Sequence, residues 1–236
     1  MKRTLIMTGS DINLKEVLSL TLDSKINYTK KHNYDLLIKT NWNNVSKYHF
    51  KDFEAQFQDN SQPYLKVLGF LRVLYAFEML RDYDNVMWID ADAIITNSNY
   101  TIQDITTEEH CFFVSHDWAW TKSFNTGNFI IKRHKDTQAL YETFLEVSKH
   151  FLSDPCQEQA TLNYIYQSNI YLQNVIKVLP WKYLNSVPEW AQTTETWKDR
   201  SKIAEPWTEE SFIAHLTGLT NEERIHILTS NILKLK

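Results

Sequence analysis

Asp90 and Asp92 are the residues of this 236-residue chain whose types and spacing most directly imply chemistry. They close the apolar run Val86-Met87-Trp88-Ile89, and Ala93-Ile94-Ile95 follows them. Two acids at the end of a buried strand supply hard oxygen ligands for a divalent cation, the usual partner of a diphosphate. His215 ends another apolar run, Phe212-Ile213-Ala214. Alone, such a histidine is ordinarily a satisfied core residue; grouped with two carboxylates it becomes a third ligand, and an imidazole among oxygens favours Mn²⁺ over Mg²⁺. Asp82-Tyr83-Asp84 has the same spacing with no apolar run leading into it, and reads as a solvated turn.

Other polar groups have two readings each. Lys66 and Arg72 precede the acidic strand on a helix, where they are either its wet face or phosphate contacts. Thr8-Gly9-Ser10 allows close backbone approach to a ligand. Gly218 either makes a turn or brings backbone N–H groups to a phosphate. Asn125-Thr126-Gly127 reads as the turn into a strand, or as amide and hydroxyl groups suited to a sugar. Glu158 and Gln159 open a helix, where an acid favours the dipole regardless of function. Trp118, Trp120, Trp190 and Trp197 either pack or stack on sugar rings, and Asp117 shares the first pair's aromatic loop.

The elements that must position these groups read as α/β. Leu5-Ile6-Met7 is a first strand, and Asn13 with Glu16 resembles a capping box. A helix then runs to about His32 with a break near Asp23-Ser24, and Asp35–Thr40 is a second strand. Residues 42–60 lack periodicity, Pro63 opens the next helix, and Leu65, Leu68, Leu71, Leu74, Tyr75 and Leu80 form its apolar face. Further strands are expected at 111–114, 128–131, 175–179 and 212–215. Helices are expected at 135–152 and 156–168, the second capped by Asp154, and a last helix is capped by Thr220 and Glu223.

No Pro/Gly-rich linker divides the chain, which is expected to form a single domain over 1–236. The net charge of −4, with both signs interspersed, excludes a dedicated nucleic-acid binder. Cys111 and Cys156 lack metal-type spacing and suit a reducing compartment. The first apolar run is too short for a signal peptide, and no run approaches the roughly 18 residues of a membrane span, so a cytoplasmic or otherwise soluble protein is expected.

Six segments in chain order carry a resemblance to a known family. Tyr28 with His32-Asn33-Tyr34-Asp35 is similar to Tyr-Ala-x-x-His-Gly-Tyr-Asp, and Trp88-Ile89-Asp90-Ala91-Asp92-Ala93 is the second segment. Phe124-Asn125-Thr126-Gly127-Asn128-Phe129 is similar to Leu-Asn-Ala-Gly-Val-Phe; Glu158-Gln159 and Leu184-Asn185-Ser186 follow, and His215-Leu216-Thr217-Gly218 is similar to His-Phe-x-Gly. Together they resemble the retaining galactosyl-, mannosyl- and xylosyltransferases of fungal and plant glycan synthesis. The resemblance implies the GT-A fold, a Rossmann-like mixed sheet flanked by helices. It implies a nucleotide-sugar donor, most often a UDP-hexose or UDP-pentose, a glycan acceptor, and Mn²⁺ (Mg²⁺ as the alternative) held by Asp90, Asp92 and His215. Gln159 is expected near the donor sugar, with Glu158 and Asp117 aligning the acceptor. Thr8, Gly9, Lys66 and Arg72 are expected on the donor, with Asp90, Ala91, the 125–127 segment and Gly218.

The chain departs from the family pattern at two places. Asn33 stands for glycine, which a left-handed turn tolerates, and Thr126 stands for alanine beside the sugar, which bears on donor choice. The family's usual Golgi anchor is not evident, so a Golgi location does not carry over. Three other readings compete: a phosphatase-type hydrolase, which places its Asp-x-Asp on the first strand; a sugar nucleotidyltransferase, which needs an N-terminal Gly-rich loop; and a non-catalytic glycan-binding module.

Overall fold

The computed structural model describes residues 2–40, 68–117, 123–188 and 206–230. Lys66, Pro63, Leu65, the 42–60 segment and Trp118, Trp120, Trp190 and Trp197 lie outside the described residues. Strands β1 (Thr4–Gly9), β2 (Asp35–Lys39) and β3 (Asn85–Ile89) run parallel, with β1 between the other two. A short strand, β4 (Ala93–Ile95), follows the acids, and β5 (Phe112–His116), β6 (Phe124–Lys132) and β7 (Ile176–Leu179) complete a six-stranded sheet of order β2-β1-β3-β6-β5-β7. β6 is antiparallel to both of its neighbours. β4 leaves this sheet and pairs instead with β8 (Ile213–His215), setting Ala93 opposite His215. The distant histidine is thereby brought to the acids.

Strict alternation sorts the side chains of β3. Val86 and Trp88 join Leu5, Met7, Phe112, Phe129 and Ile131 on one face, while Met87 and Ile89 join Ile6, Phe113 and Ile130 on the other. Both faces are covered, which is why the strands read as continuous apolar runs. Helix α1 (Lys15–His32) covers the second face through Tyr28, and α2 (Leu68–Met79) covers the first through Phe70, Val73, Leu74 and Phe77. The one-turn helix α3 (Ile102–Ile105) adds to the second face; α4 (Thr137–Ser148) and α5 (Gln157–Ser168) add Leu140, Phe144, Leu162 and Ile165 to the first. Truncating a fully buried ring such as Phe129 to alanine is expected to cost about 3–5 kcal/mol. Short helices α6 (Ile170–Gln173) and α7 (Trp181–Leu184) flank β7, and α8 (Asn221–Thr229) closes the described chain.

Several local expectations need correction. Asn13 does not cap α1: Asp11 Oδ1 accepts from the Asn13 and Leu14 amides (2.9 and 3.0 Å), and Leu14 at the N-cap makes no side-chain cap. Nor does the helix break at Asp23-Ser24. Ser24 and Thr21 turn their hydroxyls inward, Ser24 onto the Thr21 carbonyl (2.7 Å), so the backbone ladder continues. The end of α1 does follow the expected turn, because Asn33 is left-handed (φ 54°, ψ 47°). Asn125-Thr126-Gly127 is no turn; it lies inside β6. Between Phe113 and Ser115 the pairing of β5 jumps from Ile130 to Asn125, a bulge of the sort that re-aims side chains beside a site. Asp154 does not cap α5 directly. It accepts from the Cys156 amide (2.7 Å), Cys156 takes the N-cap position, and Gln157 begins the helix at φ 39°. The last helix has the expected capping box, Thr220 with Glu223.

Candidate active site

The carboxyl ends of β1 and β3, where open α/β sheets bind ligands, border a crevice of about 860 Å³. Gly9 and Ser10 line it from β1, Arg72 from α2, and Trp88, Asp90, Ala91 and Asp92 from β3 and its turn. Asp117 after β5, Asn125 and Gly127 on β6, and Glu158 and Gln159 on α5 also line it, and His215, Thr217 and Arg224 complete it.

Each of the two acids has one oxygen anchored and the other presented. Trp88 Nε1 donates to Asp90 Oδ1 (2.7 Å), and Arg72 ion-pairs with that same oxygen. Asp90 Oδ2 is left facing His215 Nε2 at 4.0 Å. Arg224 holds Asp92 Oδ2 at 2.9 Å, and Asp92 Oδ1 lies 3.3 Å from the same imidazole nitrogen. One ligand-capable atom from each of Asp90, Asp92 and His215 lies within 4.8 Å of the others. Burial alone would raise the Asp92 carboxyl, but His215 and Arg224 outweigh it and hold the group below the usual carboxylate range.

Asn185 determines which nitrogen of His215 faces the acids. Its Nδ2 donates to the His116 carbonyl (2.8 Å), so its Oδ1 is the atom 2.8 Å from His215 Nδ1. Nδ1 therefore carries a proton, and Nε2 is the nitrogen turned toward Asp90 and Asp92, the one a metal would take. Gly127 keeps the space open. A Cβ there would stand 2.4 Å from His215 Cε1 and 2.8 Å from Asp90 Oδ2. Two oxygens and one imidazole nitrogen around a cleared space fit a divalent cation.

The groups around Glu158 and Gln159 are equally held. Arg72 also ion-pairs with Glu158 Oε1, which accepts from Thr126 Oγ1 as well (2.9 Å). Burial works against the Arg72 cation, but Asp90 and Glu158 outweigh it and raise its pKa above the ordinary value. Gly69 gives Glu158 its place: a Cβ on that helix position would lie 1.7 Å from Glu158 Oε2. Gln159 donates through Nε2 to Asp117 Oδ2 (2.8 Å) and accepts from the Thr126 amide (3.2 Å).

The structure thus brings together most of the residues expected from sequence. Three expected donor contacts fall outside the crevice lining. Thr8 is buried. Thr126 is buried, with its hydroxyl on Glu158 and its amide on Gln159, so it meets the crevice through those two side chains. Gly218 is the left-handed residue (φ 73°) of the turn after Thr217. Lys66 is outside the described residues. Arg224, Gly69 and the role of Asn185 were missed by sequence reasoning; Arg224 had a signal in lying one turn inside the helix that follows His215, while Gly69 had none. Among the described residues no helix is long and apolar enough to cross a membrane.

This geometry agrees with comparisons to known proteins. The fold is similar to that of a glycosyltransferase involved in glycosylation of the major capsid of PBCV-1 (TM-score 0.60, 14% identity, covering 96% of this chain and 99% of that one). It is similar to mouse xyloside xylosyltransferase 1 (TM-score 0.55, 10% identity, 91% and 97% covered) and to the glycosyltransferase GlyE of Streptococcus pneumoniae (TM-score 0.54, 13% identity, 93% and 56% covered). At these identities the likeness is one of fold, and the fold is GT-A. No curated protein matches the chain in sequence. The profile of the galactosyl transferase GMA12/MNN10 family matches residues 105–226, more than half of the chain, including Asn125, Gly127, Glu158, Gln159, Asn185 and His215. The chain is a glycosyltransferase and belongs to the galactosyl transferase GMA12/MNN10 family.

Proposed function

We propose that the chain, working as one domain, is a metal-dependent retaining glycosyltransferase that moves a hexose or pentose from a UDP-sugar to a hydroxyl of a glycan acceptor. One observation carries the reading: Asp90 Oδ2, Asp92 Oδ1 and His215 Nε2 converge over Gly127 inside the crevice. Mn²⁺ held by these three residues would neutralise charge on the departing diphosphate. The chain's own groups do the rest. Arg72 and Arg224 hold the acids and present guanidinium charge in the crevice, and the β1 end at Gly9 and Ser10 lets the nucleotide approach the backbone. Asn125, on the wall beside Gln159, faces the donor sugar.

Retention requires the acceptor to arrive on the face the diphosphate leaves. Glu158 is a crevice carboxylate to weigh as a covalent nucleophile, yet Arg72 and Thr126 occupy Oε1, and Oε2 packs against Gly69. Front-face transfer fits better. The bond from the sugar carbon to the diphosphate oxygen breaks, the acceptor oxygen bonds the same carbon from the same side, and its proton passes to the released phosphate. Asp117, positioned by Gln159, orients the acceptor hydroxyl. The phosphatase-type alternative places its motif after the first strand, whereas here it follows β3.

The test is to incubate a panel of nucleotide-sugars with the protein, with and without Mn²⁺, and to measure released nucleotide. Turnover of a UDP-sugar only with metal is expected, with a product that keeps the donor's anomeric configuration by NMR. Absence of metal-dependent release from every donor overturns the reading.

A further inference from the structure

The turn that carries the two acids is held by α1 as well as by its own side chains. All four carbonyls from Asp90 to Ala93 have a donor. Ala93 N closes onto Asp90 O (3.2 Å), and Leu216 N reaches Asp92 O (3.0 Å). The remaining two donors are side chains of α1: Thr21 Oγ1 donates to Ala91 O and Lys25 Nζ to Ala93 O, both at 2.7 Å. Lys25 Nζ also donates to Thr21 Oγ1 (2.8 Å), and the single Thr21 proton favours Ala91 O, at 2.7 Å, over the Leu18 carbonyl at 3.2 Å. Two residues further along β4, Ser24 Oγ accepts from Ile95 N (3.2 Å).

Thr21 and Lys25 are both fully buried, and neither lines the crevice. An apolar side chain would fill the same volume without the desolvation that a buried amine incurs. What an apolar side chain would not supply is a grip on two carbonyls on either side of Asp92. The carboxylate heads are already fixed by Arg72, Trp88 and Arg224, so the separation of the presented oxygens depends on the backbone between them.

We propose that Lys25, acting with Thr21, is a positioning residue that sets the spacing of Asp90 and Asp92 for cation binding. This rests on the metal-dependent reading above, and the experiment separates the two. Lys25→Met keeps the stem and removes the amine; Thr21→Val removes the hydroxyl at equal size; Thr21→Ser retains it. Two quantities are measured: hydrogen exchange at the Ala93 and Leu216 amides without metal, and Mn²⁺ affinity in the presence of UDP by calorimetry. In Lys25→Met and Thr21→Val both amides are expected to exchange at least about 10-fold faster while β1 and β6 keep their protection, and Mn²⁺ affinity is expected to fall about 10-fold or more. Thr21→Ser is expected to match the wild type in both. Mn²⁺ affinity within twofold of wild type in folded Lys25→Met overturns the proposal, whatever the exchange. If wild type itself binds no Mn²⁺, the functional reading fails, and unchanged exchange at Ala93 and Leu216 then overturns the positioning role separately. Should Lys25→Met not fold, the Thr21 valine–serine contrast decides in the same way.

Discussion

Strand β3 is bracketed by two acid-x-acid triplets, Asp82-Tyr83-Asp84 before it and Asp90-Ala91-Asp92 at its end. The first pair is open to solvent: the Asp82 side chain is 52% exposed, and Asp84 accepts from the Arg3 amide (2.8 Å) at the amino ends of β1 and β3. The second pair is drawn inward, with the Asp92 side chain only 8% exposed. Spacing is identical, so spacing alone does not make a site. The difference lies in strand direction, since the second pair emerges where parallel strands end and where β8 returns with His215.

Substitutions should separate the two triplets widely. Asp92→Ala removes a presented oxygen and the partner of Arg224, and transfer is expected to fall about 10³-fold or more while circular dichroism shows the fold retained. Retained activity would remove the cation role. Gly127→Ala should come next, because its Cβ intrudes on His215 and Asp90 at contact distances; a loss of about 10²-fold in kcat is expected from a displacement of that order. Wild-type kinetics would mean the cleared space is not where the reaction is supported. Asn185→Ala frees the His215 ring to rotate, and Mn²⁺ affinity measured by calorimetry is expected to weaken about 10–100-fold.

A smaller effect concerns pH and stability. Burial pushes the Lys25 ammonium down from 10.5 to about 7, against the pull of Asp92 and Asp90. A cation disfavoured in the fold destabilises it most at low pH, and that cost declines as pH rises from about 7 toward 10.5. Wild type should therefore gain stability relative to Lys25→Met across that window, by at most about 5 kcal/mol. Denaturant titrations at pH 6.5 and 9 measure the slope, and a fall in wild-type stability relative to Lys25→Met between those pH values has the wrong sign. Smallest of all, Asp84→Asn should leave transfer within twofold of wild type and change stability by about 1 kcal/mol or less. A large loss there would erase the distinction between the two triplets.

Much of this was legible in the residues because local rules agreed with the final arrangement. The apolar run into Asp90, the left-handed Asn33 and the Thr220–Glu223 box each follow from short-range sterics or hydrogen bonding. Asn125-Thr126-Gly127 was misread as a turn for a physical reason: those residues favour turns, and only the neighbouring β3 and the bulge against β5 make them strand. Asp23-Ser24 suggested a broken helix, yet Ser24 finds an inward partner in the Ile95 amide that no local window reveals. Gly69, Asn185 and Arg224 act on residues distant in sequence or through a turn, so their contributions appear only once β8 is set against β4 and α5 against α2.

The central claim is that Asp90, Asp92 and His215 form one cation site serving a nucleotide diphosphate. Calorimetric titration of UDP and GDP into the protein, with and without Mn²⁺ and repeated on Asp92→Ala, tests it most directly. UDP binding that requires Mn²⁺ and disappears in the variant is the predicted result. Nucleotide binding of equal strength without metal, or unchanged in Asp92→Ala, would contradict it.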